Sequence, residues 1–385
     1  MIDTYKNAIL KEMVEHVDAP DETYKQALNH AIIRHLFKSG ISIEERQKLF
    51  DWIYSHTRGM SVLQPLMDNP QITEIMVNRY DEIYYEANGQ LYPSEIKFEN
   101  ETVLEQFILN LFSRANRHIN LTTPIADARL SDGTRANAVL PPIASEGACL
   151  TLRKFTGIRH EAEALIQSHF LTAPLMDFFN EAILAKKSIF ICGGTGTGKT
   201  TLLNVLLDQI PSSERLVLIE DAAELQIPNR QNWVRLEARS SGQHEQVITL
   251  QDLLRTSLRM RPDRIIMGEV RGKEAKDLMH AMNTGHPGAL CTGHGNACID
   301  MFDRLCNLVL ETSSLPINAI RQTMAACIDL IVHIQRNHCG HRFIDEVCAI
   351  HAPRNQPPKM QRLYQYDTLK DQLIQVENET CFDLI

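Results

Sequence analysis

The densest chemical pattern in the chain is Gly193-Gly194-Thr195-Gly196-Thr197-Gly198-Lys199-Thr200, a G-x-x-x-x-G-K-T run. Glycines at this spacing let backbone amides turn inward around phosphate oxygens, and the lysine adds a cation that reaches the β and γ phosphates. Thr200 offers a hydroxyl to magnesium. Thr201 continues into a helical run whose positive end faces the same anion. The ligand this pattern expects is ATP with Mg2+.

Hydrolysis needs two further functions: something to hold the metal's waters and something to orient the attacking water. Two strand-like runs end in carboxylates. Residues 216–219 lead into Glu220, Asp221 and Glu224, and residues 264–268 lead into Glu269. Carboxyl ends of strands in an open α/β sheet face the ligand crevice, so both sets could converge on the loop. Glu269 is read as the metal-side carboxylate, acting through water. Glu224 is read as the water-orienting base, with Glu220 in reserve. Residues 284–296 then place His286 and His294 among glycines. Both are candidate phosphate sensors, and His294, flanked by Gly293 and Gly295, has the less obstructed reach.

These groups need a frame. Residues 188–192 are a short apolar strand run before the loop, and residues 201–207 are a helical run directly after it, the order that phosphate binding requires. From about 173 to the end, apolar strand runs alternate with helical segments, which reads as a doubly wound sheet. Upstream, residues 1–60 are helical: Leu28, Ala31, Ile32 and Leu36 repeat at helical spacing, Gly40 stops the run, and Ser42 with Glu45 opens the next helix as a capping box. Residues 61–154 form a small α+β domain. Ile75 and Val77 alternate with polar neighbours, Asn88-Gly89 and Asp132-Gly133 signal hairpins, and Leu104, Phe107, Ile108, Leu111 and Phe112 mark one amphipathic helix. Residues 155–172 are expected to link the two parts.

Composition narrows the class. At 385 residues the chain exceeds one ordinary core. No apolar run approaches the roughly 20 residues of a membrane helix, and no signal-peptide pattern opens the chain, so the expected compartment is the cytoplasm. Nine scattered cysteines without a C-x-x-C pair favour free thiols. His338, Cys339, His341 and Cys348 match no zinc template and read as a strand-loop-strand with incidental soft residues. A net charge of −9 with 6% aromatic residues argues against direct nucleic-acid binding.

Taken together, residues 193–201, Glu220-Asp221 with Glu224, residues 259–272, and the His286/His294 segment resemble the secretion or traffic ATPases of type II and type IV secretion and of type IV pilus assembly. In that family the segments are the Walker A, Asp, Walker B and His boxes, and they stand here in family order. Residues 70–78 and 127–142 resemble the family's N-terminal domain, so the likeness covers about 60–335. It implies an α/β fold: a C-terminal RecA-like P-loop domain with a parallel-rich sheet, preceded by the α+β domain and the helical region. It also implies a homo-hexameric cytoplasmic motor acting on inner-membrane platform proteins, with peripheral membrane association through those partners. From the resemblance, Arg129, Arg135 and Arg153 approach the nucleotide from the N-terminal domain. The leading helices and Arg259-Met260-Arg261-Pro262-Asp263-Arg264 point to the tight-adherence (Flp) pilus branch and its type IV secretion relatives. Pro287 and Cys291 depart from the frequent family residues, and the four-cysteine zinc module of some extension motors is absent. Extension, retraction and secretion stay open as the work performed. A RecA-like nucleic-acid translocase and a non-catalytic nucleotide-gated scaffold stay open as rivals.

Overall fold

A computed structural model describes residues 2–376 apart from 14–15, 17–18, 38–40, 88, 155–160, 228–229, 240–246, 338, 354–355, 368–369 and 371. Gly40, Asn88, His338 and the start of the expected linker thus lie outside the described residues. The chain divides into two units, Met1–Thr156 and Gly157–Ile385.

The first unit begins with helices α1 (Ile2–Met13), α2 (Asp21–Leu36) and α3 (Ile43–Thr57), packed around Ile9, Leu28, Ile32, Leu36 and Ile53. The capping box forms: Ser42 Oγ accepts from Glu45 N at 3.2 Å, and the Glu45 carboxylate accepts from Ser42 N at 3.0 Å. After α4 (Gln64–Asp68) come β1 (Ile72–Arg79), β2 (Glu82–Ala87), β3 (Gln90–Pro93), α5 (Glu101–Arg114), β4 (Ile125–Arg129), β5 (Arg135–Val139) and β6 (Cys149–Arg153). They make an antiparallel sheet in the order β3-β2-β1-β6-β5-β4. Alternation puts Ile75, Val77, Leu150 and Leu152 into a core with Leu104, Ile108 and Phe112 of α5.

In the second unit, α6 (Ala162–Gln167) and α7 (Ala173–Leu184) lead into β7 (Ile189–Gly193), α8 (Lys199–Asp208), β8 (Leu216–Glu220), β9 (Trp233–Glu237), α9 (Leu250–Ser257), β10 (Arg264–Met267), α10 (Glu274–Asn283) and β11 (Leu290–Gly293). There follow α11 (Cys298–Leu310), α12 (Ile317–Cys327), β12 (Leu330–Arg336), β13 (Arg342–His351), β14 (Lys359–Asp367) and β15 (Gln372–Gln375). Leu165, Phe170 and Leu171, inside the stretch expected to be linker, enter this unit's core. Apolar side chains in a segment without polar alternation bury with the nearest core, so this part of 155–172 belongs to the second unit.

Among the described residues the second sheet runs β15-β14-β13-β12-β7-β11-β10-β8-β9, parallel from β12 to β9 and antiparallel beyond β12. The central strands β7, β8, β10 and β11 are buried throughout, as parallel strands covered on both faces must be. Ile189 and Ile191 face one core with Leu175, Phe179, Leu202 and Leu206. Phe190 and Cys192 face the other with Leu254, Leu278, Phe302 and Leu305. No helix among the described residues is long and apolar enough to cross a membrane.

Candidate functional site

Four adjacent parallel strands, β7-β11-β10-β8, end at the same edge of the sheet. Each is followed there by one of the chemical segments: the glycine loop after β7, His294 after β11, Glu269 after β10, and Glu224 after β8. A parallel sheet brings together residues up to about a hundred positions apart in this way, at its carboxyl edge.

The glycine loop is shaped by two requirements that a side chain could not meet. A Cβ at Gly193 would stand 2.4 Å from the Ile334 carbonyl oxygen of β12, which runs alongside. Gly198, with φ 101°, turns the chain into α8 in the left-handed region. Gly194 and Thr195 are exposed at the loop tip. Thr197 Oγ1 donates to Gly194 O at 3.0 Å and braces the turn. Lys199 Nζ donates to the Gly193 and Gly194 carbonyls at 3.1 and 2.6 Å, so its ammonium lies over the loop. Thr200 and Thr201 follow in the first turn of α8.

The two carboxylates of the β8 end differ in environment. Glu224 points back to the loop: Thr200 Oγ1 donates to its Oε2 at 3.3 Å. Glu220, the last residue of β8, is buried, and its Oε1 accepts from the backbone N–H of Glu224 at 2.7 Å and of Leu225 at 2.8 Å. Its Oε2 stands 3.1 Å from Arg235 Nε, an ion-pair contact rather than an aligned hydrogen bond. Burial pushes the Glu220 carboxyl above the usual carboxylate range, and the two N–H donors and Arg235 oppose that shift. Glu220 therefore holds the turn that carries Glu224. At the neighbouring strand end, Glu269 Oε1 lies 3.3 Å from His294 Nε2. Partial burial and the nearby Lys199 ammonium hold the His294 ring below the ordinary histidine range, opposed by Glu269.

His286 is not brought to this edge. It precedes β11, at the end where Leu290 pairs with Ile189, whereas His294 follows Gly293, which pairs with Cys192 beside the loop. The His286 ring and N–H instead contact the Ala281 carbonyl, both at 3.3 Å, and close the end of α10. The four-residue strand between the two histidines separates them, so in this chain the His286 ring meets the end of α10 and not the loop.

In the first unit, Arg129, Arg135 and Arg153 form one row across β4, β5 and β6, through the pairs Arg129–Arg135 and Arg135–Arg153. They sit on the face opposite the core, since Ala128, Ala136 and Leu152 are the buried partners. Like charges directly opposite on a sheet oppose folding, and a row of three suits an anion bound in common.

Sequence reasoning missed three residues at the loop. A Cβ at Gly196 would lie 3.9 Å from Arg336 Nη1, and one at Gly198 would lie 3.2 Å from the Phe170 ring and 3.7 Å from Arg342 Cδ. Arg336 and Arg342 pair across β12 and β13. Only the adjacency of β12 to β7 brings them here, and no motif encodes it. A cleft of ≈ 550 Å³ opens beside Gly193, Gly194 and His294, lined further by Asp300, Asp303 and Arg304. The loop's cradle, its lysine and the first turn of α8 fit a phosphate chain. The hydroxyl of Thr200 and the carboxylate of Glu269 are hard oxygen donors that fit Mg2+.

A family model described as type II/IV secretion system protein matches residues 56–369. A putative conjugal transfer protein of Mycobacterium tuberculosis is 32% identical over 299 residues, covering 76% of this chain and 84% of the relative. The type IV secretion system protein VirB11 of Brucella suis is 32% identical over 322 residues, 74% of this chain and 87% of the relative. The solved structure of the Legionella pneumophila ATPase DotB shares the fold with a TM-score of 0.53 at 20% identity, over 74% of this chain and 78% of that one.

Proposed function

We propose that this chain, which belongs to the type II/IV secretion system protein family, is an ATPase whose turnover moves a pilus or a secreted cargo. The observation that carries the reading is the delivery of Lys199, Glu224, Glu269 and His294 to one edge by four adjacent parallel strands. Lys199 grips the phosphates of ATP together with the loop amides. Thr200, and Glu269 through water, would hold magnesium, which would supply charge neutralisation at the phosphates. Glu224 orients the attacking water and accepts its proton. Glu269 and His294 fix one another at 3.3 Å, so that His294 faces the γ-phosphate side as a hydrogen-bonding group. Arg129, Arg135 and Arg153, one row on the first unit's sheet, are read as further phosphate-binding arginines.

In this reading the working form is a cytoplasmic homo-hexamer that reaches the membrane through inner-membrane platform proteins and binds no nucleic acid directly. The assignment to tight-adherence (Flp) pilus assembly rests on the leading helices and on residues 259–264. The names of the two relatives, conjugal transfer and type IV secretion proteins, favour type IV secretion as the second reading. Glu269→Ala tests the site: ATP binding is retained while phosphate release collapses. Equal loss of both sinks the assignment. A ring mass in the presence of ATP tests the assembly, and a chain that stays monomeric at all nucleotide concentrations counts against it.

A further inference from the structure

We propose that Cys298, Glu346 and Cys348 form a buried binding site for one divalent cation of the zinc class, set behind the phosphate loop in the second unit. The ligand atoms of the three residues all lie within 4.8 Å of one another. Their residues are 0%, 5% and 2% exposed. They come from two elements: Cys298 opens α11, and Glu346 and Cys348 stand two apart on β13, which puts them on one face. Tetrahedral zinc with sulfur and oxygen ligands holds its donors about 3.3–3.8 Å apart. Closing the cluster onto a cation therefore needs side-chain movements of about 1 Å, within rotamer adjustment.

Charge permits a divalent ion. Two thiolates and one carboxylate carry three negative charges, and Arg362, whose Nε lies 3.0 Å from Glu346 Oε2, returns one. With both thiols ionised a divalent cation leaves the group neutral, and with both protonated the Glu346–Arg362 pair is neutral by itself. The carboxylate is already oriented, because Cys298 N–H donates to Glu346 Oε1 at 2.7 Å. Such outer hydrogen bonds are what fix metal-ligating carboxylates. Without a cation, the Cys298 thiol donates to Ile331 O at 3.3 Å and the Cys348 thiol to Glu346 Oε2 at 3.8 Å, so both sulfurs keep their protons. A bound cation reverses that preference and displaces the thiol protons to water.

The placement gives the site a job. Cys298 lies four residues past His294, and Cys192 immediately precedes Gly193. A cation here ties the start of α11 to β13 and braces the segment carrying His294 against the root of the loop. Other soft residues stand apart from the cluster: in the β12–β13 turn Cys339 is exposed and the His341 ring contacts Ser168 O at 2.9 Å, and at the far end of β13 the His351 ring contacts Gln361 Oε1 at 2.8 Å.

A buried site loads as the chain folds, so the test uses the full chain expressed in cobalt-supplemented medium and purified without chelator. The wild type should carry one cobalt per chain, with sulfur-to-cobalt charge-transfer absorption and the intense visible bands of a tetrahedral site. C298S and C348S should lose both the metal and the bands, while C339S keeps them. Far-UV circular dichroism checks folding, and E346A carries the same test where a cysteine variant misfolds. A wild-type chain free of cobalt, or a folded C298S with wild-type metal content and absorption, overturns the proposal.

Discussion

Glu220 and Glu224 stand one helical turn apart in sequence, yet the structure predicts opposite consequences for the same conservative change. In Glu224→Gln the amide still accepts the Thr200 hydroxyl, now 3.3 Å from Oε2, so folding stability should move by less than about 1 kcal/mol. Nucleotide affinity should then stay within about fivefold of the wild type. What is lost is the base: general-base assistance contributes roughly 10²–10⁴-fold, about 3–5 kcal/mol of barrier. In Glu220→Gln the arithmetic runs the other way. Glu224 N, Leu225 N and Arg235 Nε converge on the carboxylate at 2.7, 2.8 and 3.1 Å. An amide keeps one acceptor oxygen and turns an NH₂ toward the guanidinium. That forfeits about 1.5–3 kcal/mol of charge-assisted interaction, reduced by the relief of burying a carboxyl whose pKa is already raised. Single-turnover phosphate release, fluorescent-nucleotide binding and denaturant unfolding on both variants separate the cases. A Glu224→Gln chain that hydrolyses within tenfold of wild type, or a Glu220→Gln chain that loses turnover with unchanged stability, refutes the reasoning.

Other outcomes follow from the same geometry. Gly193→Ala puts a methyl 2.4 Å from Ile334 O against 3.4 Å for ordinary contact, so β7 and β12 must part by about 1 Å at the loop. The expected cost is about 1–3 kcal/mol, read as a Tm lowered by roughly 2–10 °C together with weakened ATP binding; an unchanged Tm contradicts the close approach. Arg135→Gln removes the centre of the arginine row and should cut turnover at least tenfold while stability shifts by less than about 1 kcal/mol; parallel losses point to a structural role instead. Burial pushes the Cys291 thiol up to about 12 and those of Cys306 and Cys327 up to about 11. At pH 8 these three should resist a thiol reagent until the chain is denatured, while C339S removes one fast-reacting exposed thiol; rapid native labelling of Cys327 contradicts the packing.

The local and periodic features were readable from residue order. The capping box at Ser42, the hairpin at Asp132-Gly133, the strand before Gly193 and the helix after it all follow from short-range patterns, and the structure contains them. The placement of Glu224 and Glu269 at the sheet edge that carries the loop followed from one topological rule about parallel sheets. What was not legible depends on which strands become neighbours. Arg336 and Arg342 reach the loop because β12 inserts beside β7, a contact between residues over a hundred positions apart. The Cys298, Glu346 and Cys348 group assembles by the same long-range pairing. His286 and His294 look alike in sequence, and only the direction of β11 distinguishes the capping ring from the one beside Glu269. Glu220 and Glu224 likewise differ only in which of them closes a buried strand end.

The central claim is that the Gly193–Thr200 loop binds ATP for hydrolysis, and its lysine gives the most direct measurement. Lys199 Nζ already lies across the loop, 3.1 and 2.6 Å from the Gly193 and Gly194 carbonyls. Steady-state phosphate release by the purified chain should depend on Mg2+ and fall to background in Lys199→Ala, with the fold retained by circular dichroism. A folded Lys199→Ala chain that releases phosphate at the wild-type rate would contradict it.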